Sequence, residues 1–456
     1  MACTQLAQVT GGELLWPEPA ADEVTVDAVA TDSRTVPAGS PLFIALRGDT
    51  ADGHDHVPDA VAAGAVAVLV ERAPPPATVP AVVVDDTWQA LRALGRHVRD
   101  EVDPTAVAIT GSVGKTTVKD LTAAAVGAGR RTHAARGSYN NELGVPLTLC
   151  GLVPETQVLV AEIGARHVGD IADLAPLVAP DVAVVTAVAA VHLEVFGTIE
   201  AIARAKGELV ESLGHDGVAV LALDDPWVAA MAANAPSTIT VATDLAEADV
   251  HAREVRLDRL ARPSATAVTP WGEVELSLPV AGRHQITNAL FALAVAGHLG
   301  VDLDAAATAM AGTTVSPWRG EVKVVDGVTV LNDAYNANPT SVVAALQTLV
   351  AIERTGRTIA VLGEMAEIGP NAASEHERIG RACADLGVDV LVGVGQAASD
   401  TINGAASGDV EVVAAADAAE ASRAVRTLAA PGDVVLVKAS RVAGLERVAE
   451  QFEVPS

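Results

Sequence analysis

Residues 106–121 read AVAITGSVGKTTVKDL: an apolar strand ending at Thr110, a turn carrying Gly111 and Gly114, and a helix opened by Lys115, Thr116 and Thr117. A strand, a glycine turn and a helix in immediate succession start a parallel sheet covered by helices, which restricts the fold class to α/β. The chemistry is equally confined. Glycines let the backbone amides of Gly111, Ser112, Val113 and Gly114 approach phosphate oxygens, and a helix N-terminus favours anions. Lys115 can reach terminal phosphates, and the Thr116 hydroxyl, next to Thr117, can hold magnesium. The first glycine stands three residues before Gly114 rather than five, so the general spacing fails while the strand, turn and helix context holds. A Gly-rich structural turn is the alternative, and Lys119, one turn on, reads as a solvated helix lysine.

The rest of the chain repeats this pattern. Its 456 residues exceed one ordinary core and suit three domains, expected at 1–103, 104–312 and 313–456. The first holds short strands in SPLFIAL and AVAVLV, a Pro-rich loop at 72–80, and a strand then amphipathic helix in VVVDDTWQALRALGRHVR, with DEVDPT as a linker. The second alternates strands (106–110, 157–164, 181–188, 217–223) with helices and ends in the helix of GRHQITNALFALAVAGHLG. The third repeats strand and helix through TVLND, RTIAVLGEM, DVLVGVG and DVVLVKAS.

A formal charge of -28 excludes nucleic acid and anionic membrane surfaces as partners, since a polyanion would be repelled at long range. Only five of the 30 basic residues are lysines, at 115, 119, 206, 323 and 438, so each repays separate inspection. Three dispersed cysteines (Cys3, Cys150, Cys383) give neither a metal spacing nor a disulfide framework, which suits a reducing compartment. The start MACTQLAQVTGGELL has no basic region before an apolar run, and no stretch reaches spanning length uninterrupted, so a soluble cytoplasmic protein without membrane insertion is expected.

TGSVGKTT, YNNELGVPLTL, VAEIGARHVGDI, VHLEVFGTIEAIARAKGEL, GRHQITNAL, LNDAYNANPTS and LVKASRVAGLERV, in that order over nearly the whole chain, resemble the Mur ligases, the amide-forming family of peptidoglycan synthesis. YNANPTS most favours the branch that adds D-alanyl-D-alanine. The resemblance implies an N-terminal mixed α/β UDP-binding domain, a central P-loop ATPase-like domain with a parallel sheet, and a C-terminal Rossmann-like domain. It implies ATP and Mg2+ as cofactors, with UDP-N-acetylmuramoyl-tripeptide and D-alanyl-D-alanine as partners and a monomer as the working state. ATP would phosphorylate the peptide carboxylate to an acyl phosphate, which the dipeptide amine attacks. A carboxylate is a poor electrophile until one oxygen becomes a leaving group, and two anionic reactants need dense positive charge between them.

The same resemblance implies the site residues. Glu162 corresponds to a magnesium-binding glutamate, His192 to a histidine near a second magnesium, and Lys206 to a lysine often carbamylated into a metal ligand. Read alone, these are a strand-end carboxylate, a structural histidine and a helix lysine extending to solvent. Asn288, Asp333, Tyr335 and Asn336 correspond to ATP base and ribose contacts, although Asn also caps helices, and Asp333 or Asn338 can serve only to shape the loop before the helix near Ser341. Arg319 corresponds to an arginine that reaches the terminal phosphate on closure, with Trp318 where a Gly is usual. Ser33, Arg34, Asn140 and Asn141 fall in segments that bind the UDP-muramoyl substrate, and Thr186 lines the same path. His376 faces a domain interface by this resemblance, or is an exposed helical histidine. Lys438, Ser440 and Arg441 fall near the peptide and dipeptide site, with Ala439 in place of the usual Gly. The alternatives are a ligase adding a single diamino acid to UDP-muramoyl-dipeptide and a non-catalytic nucleotide-binding scaffold.

Overall fold

The computed structural model describes residues 1–15, 24–72 and 78–453, so the middle of the expected 72–80 loop lies outside the described residues. The chain forms two compact units: Met1–Ala108 with Arg131–Ile163 and Asp173–Pro180, and Ile109–Arg130 with Gly164–Ala172 and Asp181–Ser456.

In the first unit, strands Ala28–Ala30, Pro41–Ile44, Ala67–Val70 and Ala81–Val83 pair in parallel, and Glu13–Leu15 adds antiparallel at the far edge. Alternation along Pro41–Ile44 splits the core in two. Leu42 and Ile44 join Leu69, Val82 and Leu91 on one face, while Phe43 and Ala45 join Val68 and Val70 on the other. Helix Thr87–Val102 starts where the Asp86 carboxylate accepts from the amides of Trp88 and Gln89. It runs through Glu101 and Val102, and strand Thr105–Thr110 follows at once, so DEVDPT is a two-residue connection rather than a linker. The physical reason is that no breaker precedes Pro104, and Asp103 turns the chain at a left-handed φ of 47°. Strands Thr132–Ala134 and Val158–Glu162 pair in parallel in this unit.

The second unit contains the parallel strands Val182–Val185, Val218–Ala222 and Ser237–Val241, with helix Lys115–Gly127 packed on the buried helix Gln285–His298. Between them lies an antiparallel meander, His251–Leu257, Pro263–Thr269 and Gly272–Ser277, absent from the sequence expectations. Its middle strand alternates between half-buried and buried positions, a period of two that short Ala, Ser and Thr side chains render faintly.

Further along, a sheet runs in the order Glu321–Val325, Val328–Asn332, Val434–Lys438, Thr358–Leu362, Val390–Val394 and Glu411–Ala415. All pairs are parallel except the first. Both faces are buried, one around Leu331, Leu346 and Leu436 and the other around Val361, Val392 and Val435. Helices Ala372–Asp385 and Ala398–Ala405 touch backbone to backbone. A Cβ on Gly380 would stand 1.9 Å from the Thr401 carbonyl oxygen, and one on Gly404 2.0 Å from that of Glu377. Gly380→Ala is therefore expected to cost about 2 kcal/mol of stability through overpacking, read as a lowered urea midpoint at unchanged slope. Among the described residues no helix is long and apolar enough to cross a membrane.

Candidate active site

The strand at Thr105–Thr110 delivers the chain into a loop held open by two glycines. Gly111 has a φ of 145° and Gly114 one of 84°, conformations L side chains rarely adopt. A Cβ on Gly111 would stand 2.0 Å from the Thr186 hydroxyl oxygen, and one on Gly114 2.8 Å from Asn288 Oδ1. Thr186 donates its hydroxyl to the Val113 carbonyl at 2.5 Å, so it braces the loop. Ser112 is tied to Ala187 and Ala189 through its amide and hydroxyl. Asn288 is buried, with its amide nitrogen donating to Gln285 at 2.7 Å. Its carboxamide oxygen therefore stands beside the loop at Gly114.

Thr116 and Thr117 are buried in the first helical turn, and the Lys115 ammonium donates to the Gly111 carbonyl at 2.7 Å. The bland reading of Lys119 fails. It is 2% exposed and paired with Asp120 at 2.7 Å, because the helix is packed on more than one side and its stem cannot reach solvent.

Lys206 is also only 2% exposed, so it is not the solvent-directed helix lysine of the local reading. Burial, helped by the Lys115 charge, lowers its pKa to about 7 against the opposing pull of Asp170 and Glu208. Glu208 is held in place meanwhile, its oxygens accepting the amides of Gly169 and Ala172. Burial likewise lowers His192, partly offset by the Glu367 carboxylate, with Lys115 and Lys206 pushing the same way as burial. Lys115 contributes to both shifts, so Lys115, His192 and Lys206 lie near one another.

In the first unit Glu162 ends its strand almost fully buried, with Oε1 accepting from Asn140 Nδ2 at 2.6 Å. Asn141 accepts the Gly144 amide at 3.0 Å and starts helix Gly144–Cys150. Ser33 and Arg34 form an exposed 3-10 turn in which Arg34 grips Asp32 at 2.7 Å. Among the described residues no three His, Cys, Asp or Glu side chains gather as a metal-holding group.

The C-terminal sheet supplies a second locus. Strand Val434–Lys438 lies between Val328–Asn332 and Thr358–Leu362, so connections leave their carboxyl ends in opposite directions, where α/β sheets bind ligands. The loops there carry Asp333 to Asn338, Gly363 to Glu367, and Ser440 with Arg441. Lys438, expected against substrate, is instead buried, with Nζ donating to Asp333 Oδ2 at 2.5 Å and to the Asn336 carbonyl at 2.9 Å. A charge at a central strand end needs such partners, so Lys438 holds the 333–336 loop in shape. Ser440 accepts the Ala366 amide at 2.8 Å. Asn338 forms a capping box with Ser341 ahead of helix Pro339–Ala351, the loop-shaping role the sequence allows. His376 is buried, not an exposed helical histidine. Nδ1 donates to the Ala372 carbonyl at 2.8 Å and Nε2 accepts the Met365 amide at 3.0 Å, which occupies both nitrogens.

Two stacked pairs flank this locus. The Arg319 guanidinium lies 3.9 Å over the Tyr335 ring, and that of Arg441 4.2 Å over Trp318. Trp318 has a φ of 61°, which explains why a glycine is usual there: the turn before Arg319 is left-handed whatever residue occupies it. The bracing by Thr186, the Trp318 stack, and Glu367 with Arg166 escape the sequence reading. Only the displaced glycine at 318 could have signalled any of them.

A glycine loop with buried cations beside it, and a stacked-arginine locus at a sheet switch point, together define a nucleotide-dependent group-transfer protein. The chain belongs to the Mur ligase family: residues 109–296 match the Mur ligase middle domain, 318–441 the Mur ligase glutamate ligase domain, and 25–99 the Mur ligase family catalytic domain. It is 41% identical over 409 residues to the UDP-N-acetylmuramoyl-tripeptide--D-alanyl-D-alanine ligase of Mycobacterium bovis, covering 83% of this chain and 79% of that one. It is similar to the crystal structure of MurF from Acinetobacter baumannii, with a TM-score of 0.87, 32% identity, and 99% and 98% of the two chains covered. MurF ligase from Thermotoga maritima in complex with ADP gives a TM-score of 0.80 at 27% identity over 94% and 97%.

Proposed function

We propose that this chain is an ATP-dependent ligase joining D-alanyl-D-alanine to UDP-N-acetylmuramoyl-tripeptide, giving the pentapeptide, ADP and phosphate. The observation that carries the reading is 41% identity over most of its length to a ligase of that name. The phosphoryl-transfer set Lys115, Thr116, Glu162, His192, Lys206 and Arg319 stands alongside it, a set that a mere nucleotide-binding scaffold would not need. The tripeptide carboxylate attacks the γ-phosphorus and ADP departs. The dipeptide amine then attacks the acyl carbon, and phosphate leaves with the proton balance completed by solvent.

Residues 1–103 take the UDP-muramoyl substrate, 104–312 take ATP, and 313–456 complete the ligase, a division into which the three family matches fall. Gly111 to Thr117 bind the phosphates. Arg319, Tyr335, Asp333 and Asn336 meet the nucleotide, and Ser33, Arg34 and Asn140 meet the UDP-muramoyl moiety. Magnesium fits the donors present, for a buried carboxylate and a buried threonine hydroxyl are hard oxygen ligands. Glu162 and Thr116 would hold it with His192 and, once carbamylated, Lys206. Bound there, magnesium would neutralise charge developing on the transferred phosphoryl group. The free cysteines Cys3, Cys150 and Cys383 suit a reducing cytoplasm, and one chain carries the whole set, so a monomer suffices.

Release of ADP and phosphate, measured with UDP-muramoyl-tripeptide and D-alanyl-D-alanine, single diamino acids or no acceptor, tests the reading. Dipeptide-dependent release is expected. Release only with UDP-muramoyl-dipeptide and a diamino acid would overturn it, as would ATP binding without acceptor-dependent turnover. In the same assay Trp318→Gly is expected to raise the dipeptide KM about 3-fold at near-constant kcat, since a half-exposed stack on Arg441 contributes about 0.5–1 kcal/mol. Relief of the left-handed φ offsets part of the stability lost with the ring.

A further inference from the structure

Glu367 lies in the loop that leaves strand Thr358–Leu362, and nothing in the sequence reading singles it out. Its carboxylate accepts from two sides. Oε1 takes the Arg166 guanidinium at 2.8 Å, and Oε2 takes His192 Nδ1. Its backbone carbonyl accepts the Glu194 amide at 3.3 Å. Two residues on, Gly369 packs so closely that a Cβ there would stand 3.2 Å from the Glu194 backbone. The loops at 166 and 192–194 and the loop at 367–369 thus meet at four points, although they belong to the middle-domain and ligase-domain matches respectively.

Both partners of the central contact hold strained backbones. His192 has a φ of 53° and Glu367 one of 62°, and neither is glycine. Such conformations persist where surroundings over-determine them, and they gather at sites where a side chain must be aimed. The contact also sets the imidazole's chemistry. A carboxylate accepting at Nδ1 requires the proton there, so the Nε2 lone pair is left to face a metal or a phosphoryl-bound donor. Arg166 prevents the carboxylate from turning away, as a guanidinium fork does.

We infer that Glu367, clamped by Arg166, is a positioning residue that fixes the orientation and tautomer of His192 while the ligase-domain loop is docked. Docking of that loop and completion of the nucleotide site are then one event. The inference rests on the proposed role of His192, and the measurements below separate the two.

Nitrogen-15 spectra of histidine-labelled protein, assigned with His192→Gln, should show His192 protonated at Nδ1 in the parent and shifted towards the Nε2-protonated form in Glu367→Ala. In parallel, Mn2+ affinity in the presence of a non-hydrolysable ATP analogue, followed by electron paramagnetic resonance, should fall about 10-fold or more in Glu367→Ala. Glu367→Gln, whose amide oxygen can still accept from Nδ1, should recover most of the tautomer signal and part of the affinity. An unchanged His192 tautomer in a folded Glu367→Ala protein would overturn the inference, and so would unchanged Mn2+ affinity. Neither spectrum nor affinity depends on the acceptor, so failure of the proposed reaction would leave both readouts intact.

Discussion

Lys206→Ala is expected to lower kcat by about 100- to 1,000-fold while ATP still binds, the loss typical of removing one preorganised group that acts on developing charge. Burial and the neighbouring Lys115 charge bring the Lys206 pKa down to about 7. An ordinary lysine near 10.4 would be almost wholly protonated at neutral pH and inert towards carbon dioxide. Lys206 is about nine-tenths neutral one pH unit above its own value. The free amine adds to carbon dioxide and releases a proton, which turns a buried cation into a carboxylate-like ligand. The sign follows from which form reacts. Carbamate should form at pH 8 and diminish as pH falls through 7, because protonation removes the nucleophile. Enzyme equilibrated with carbon-13 bicarbonate should therefore give a carbamate resonance at pH 8 that is absent in Lys206→Ala and weak at pH 6. A persistent resonance in the variant, or full activity after rigorous removal of carbon dioxide, would remove this reading and leave Lys206 as a buried amine near the phosphates.

The chemistry legible in the sequence is the chemistry encoded locally. Gly111, Gly114, Lys115 and Thr116 stand within one strand-turn-helix, where the order of residue types dictates backbone conformation and the direction of the amides. The parallel strands were equally readable, since burial on both faces leaves uninterrupted runs such as VVLVK. What escaped was long-range pairing. Lys438 meets Asp333 across 105 positions and His192 meets Glu367 across 175, and no periodicity records either contact. The buried lysines make the same point. Lys119, Lys206 and Lys438 have helix or strand neighbours that look ordinary, and only packing reveals that each has lost its solvent. Trp318 is intermediate. The expected glycine announced an unusual turn, but its left-handed φ and the stack on Arg441 needed coordinates.

These interior charges bear on how the locus at the sheet switch point keeps its shape. Lys438 ties Asp333 and Asn336, Ser440 ties Ala366, and His376 ties Met365, so the three loops at the carboxyl ends of the central strands are cross-linked below the surface. Asn336 and Arg441 stand exposed above them, with Arg319 half-buried. Lys438, Ser440 and His376 thus hold these loops from beneath, with the precision that phosphoryl transfer demands.

Gly111→Ala carries the other large expected effect, loss of ATP affinity by more than about 100-fold, equivalent to roughly 3 kcal/mol. Two causes act together. At a φ of 145° an L side chain is strained wherever it stands, and here its Cβ would lie 2.0 Å from the Thr186 hydroxyl oxygen. That hydroxyl donates to the Val113 carbonyl at 2.5 Å and so sets the width of the loop. The variant must either twist the peptide, turning amides away from the phosphates, or push Thr186 aside and release Val113. A double variant separates the causes. Thr186→Ala removes the oxygen in the way but not the backbone preference, and the Thr186 and Ala187 amide nitrogens remain 3.1 Å from the new Cβ. Gly111→Ala with Thr186→Ala should therefore recover only part of the affinity, measured by titration calorimetry with ATP and magnesium, and Thr186→Ala alone should lose about 3- to 10-fold for the lost brace. Full recovery in the double variant would mean that side-chain collision is the whole effect and that the glycine is needed for space rather than conformation. No recovery would assign the loss to the backbone, with Thr186 a bystander.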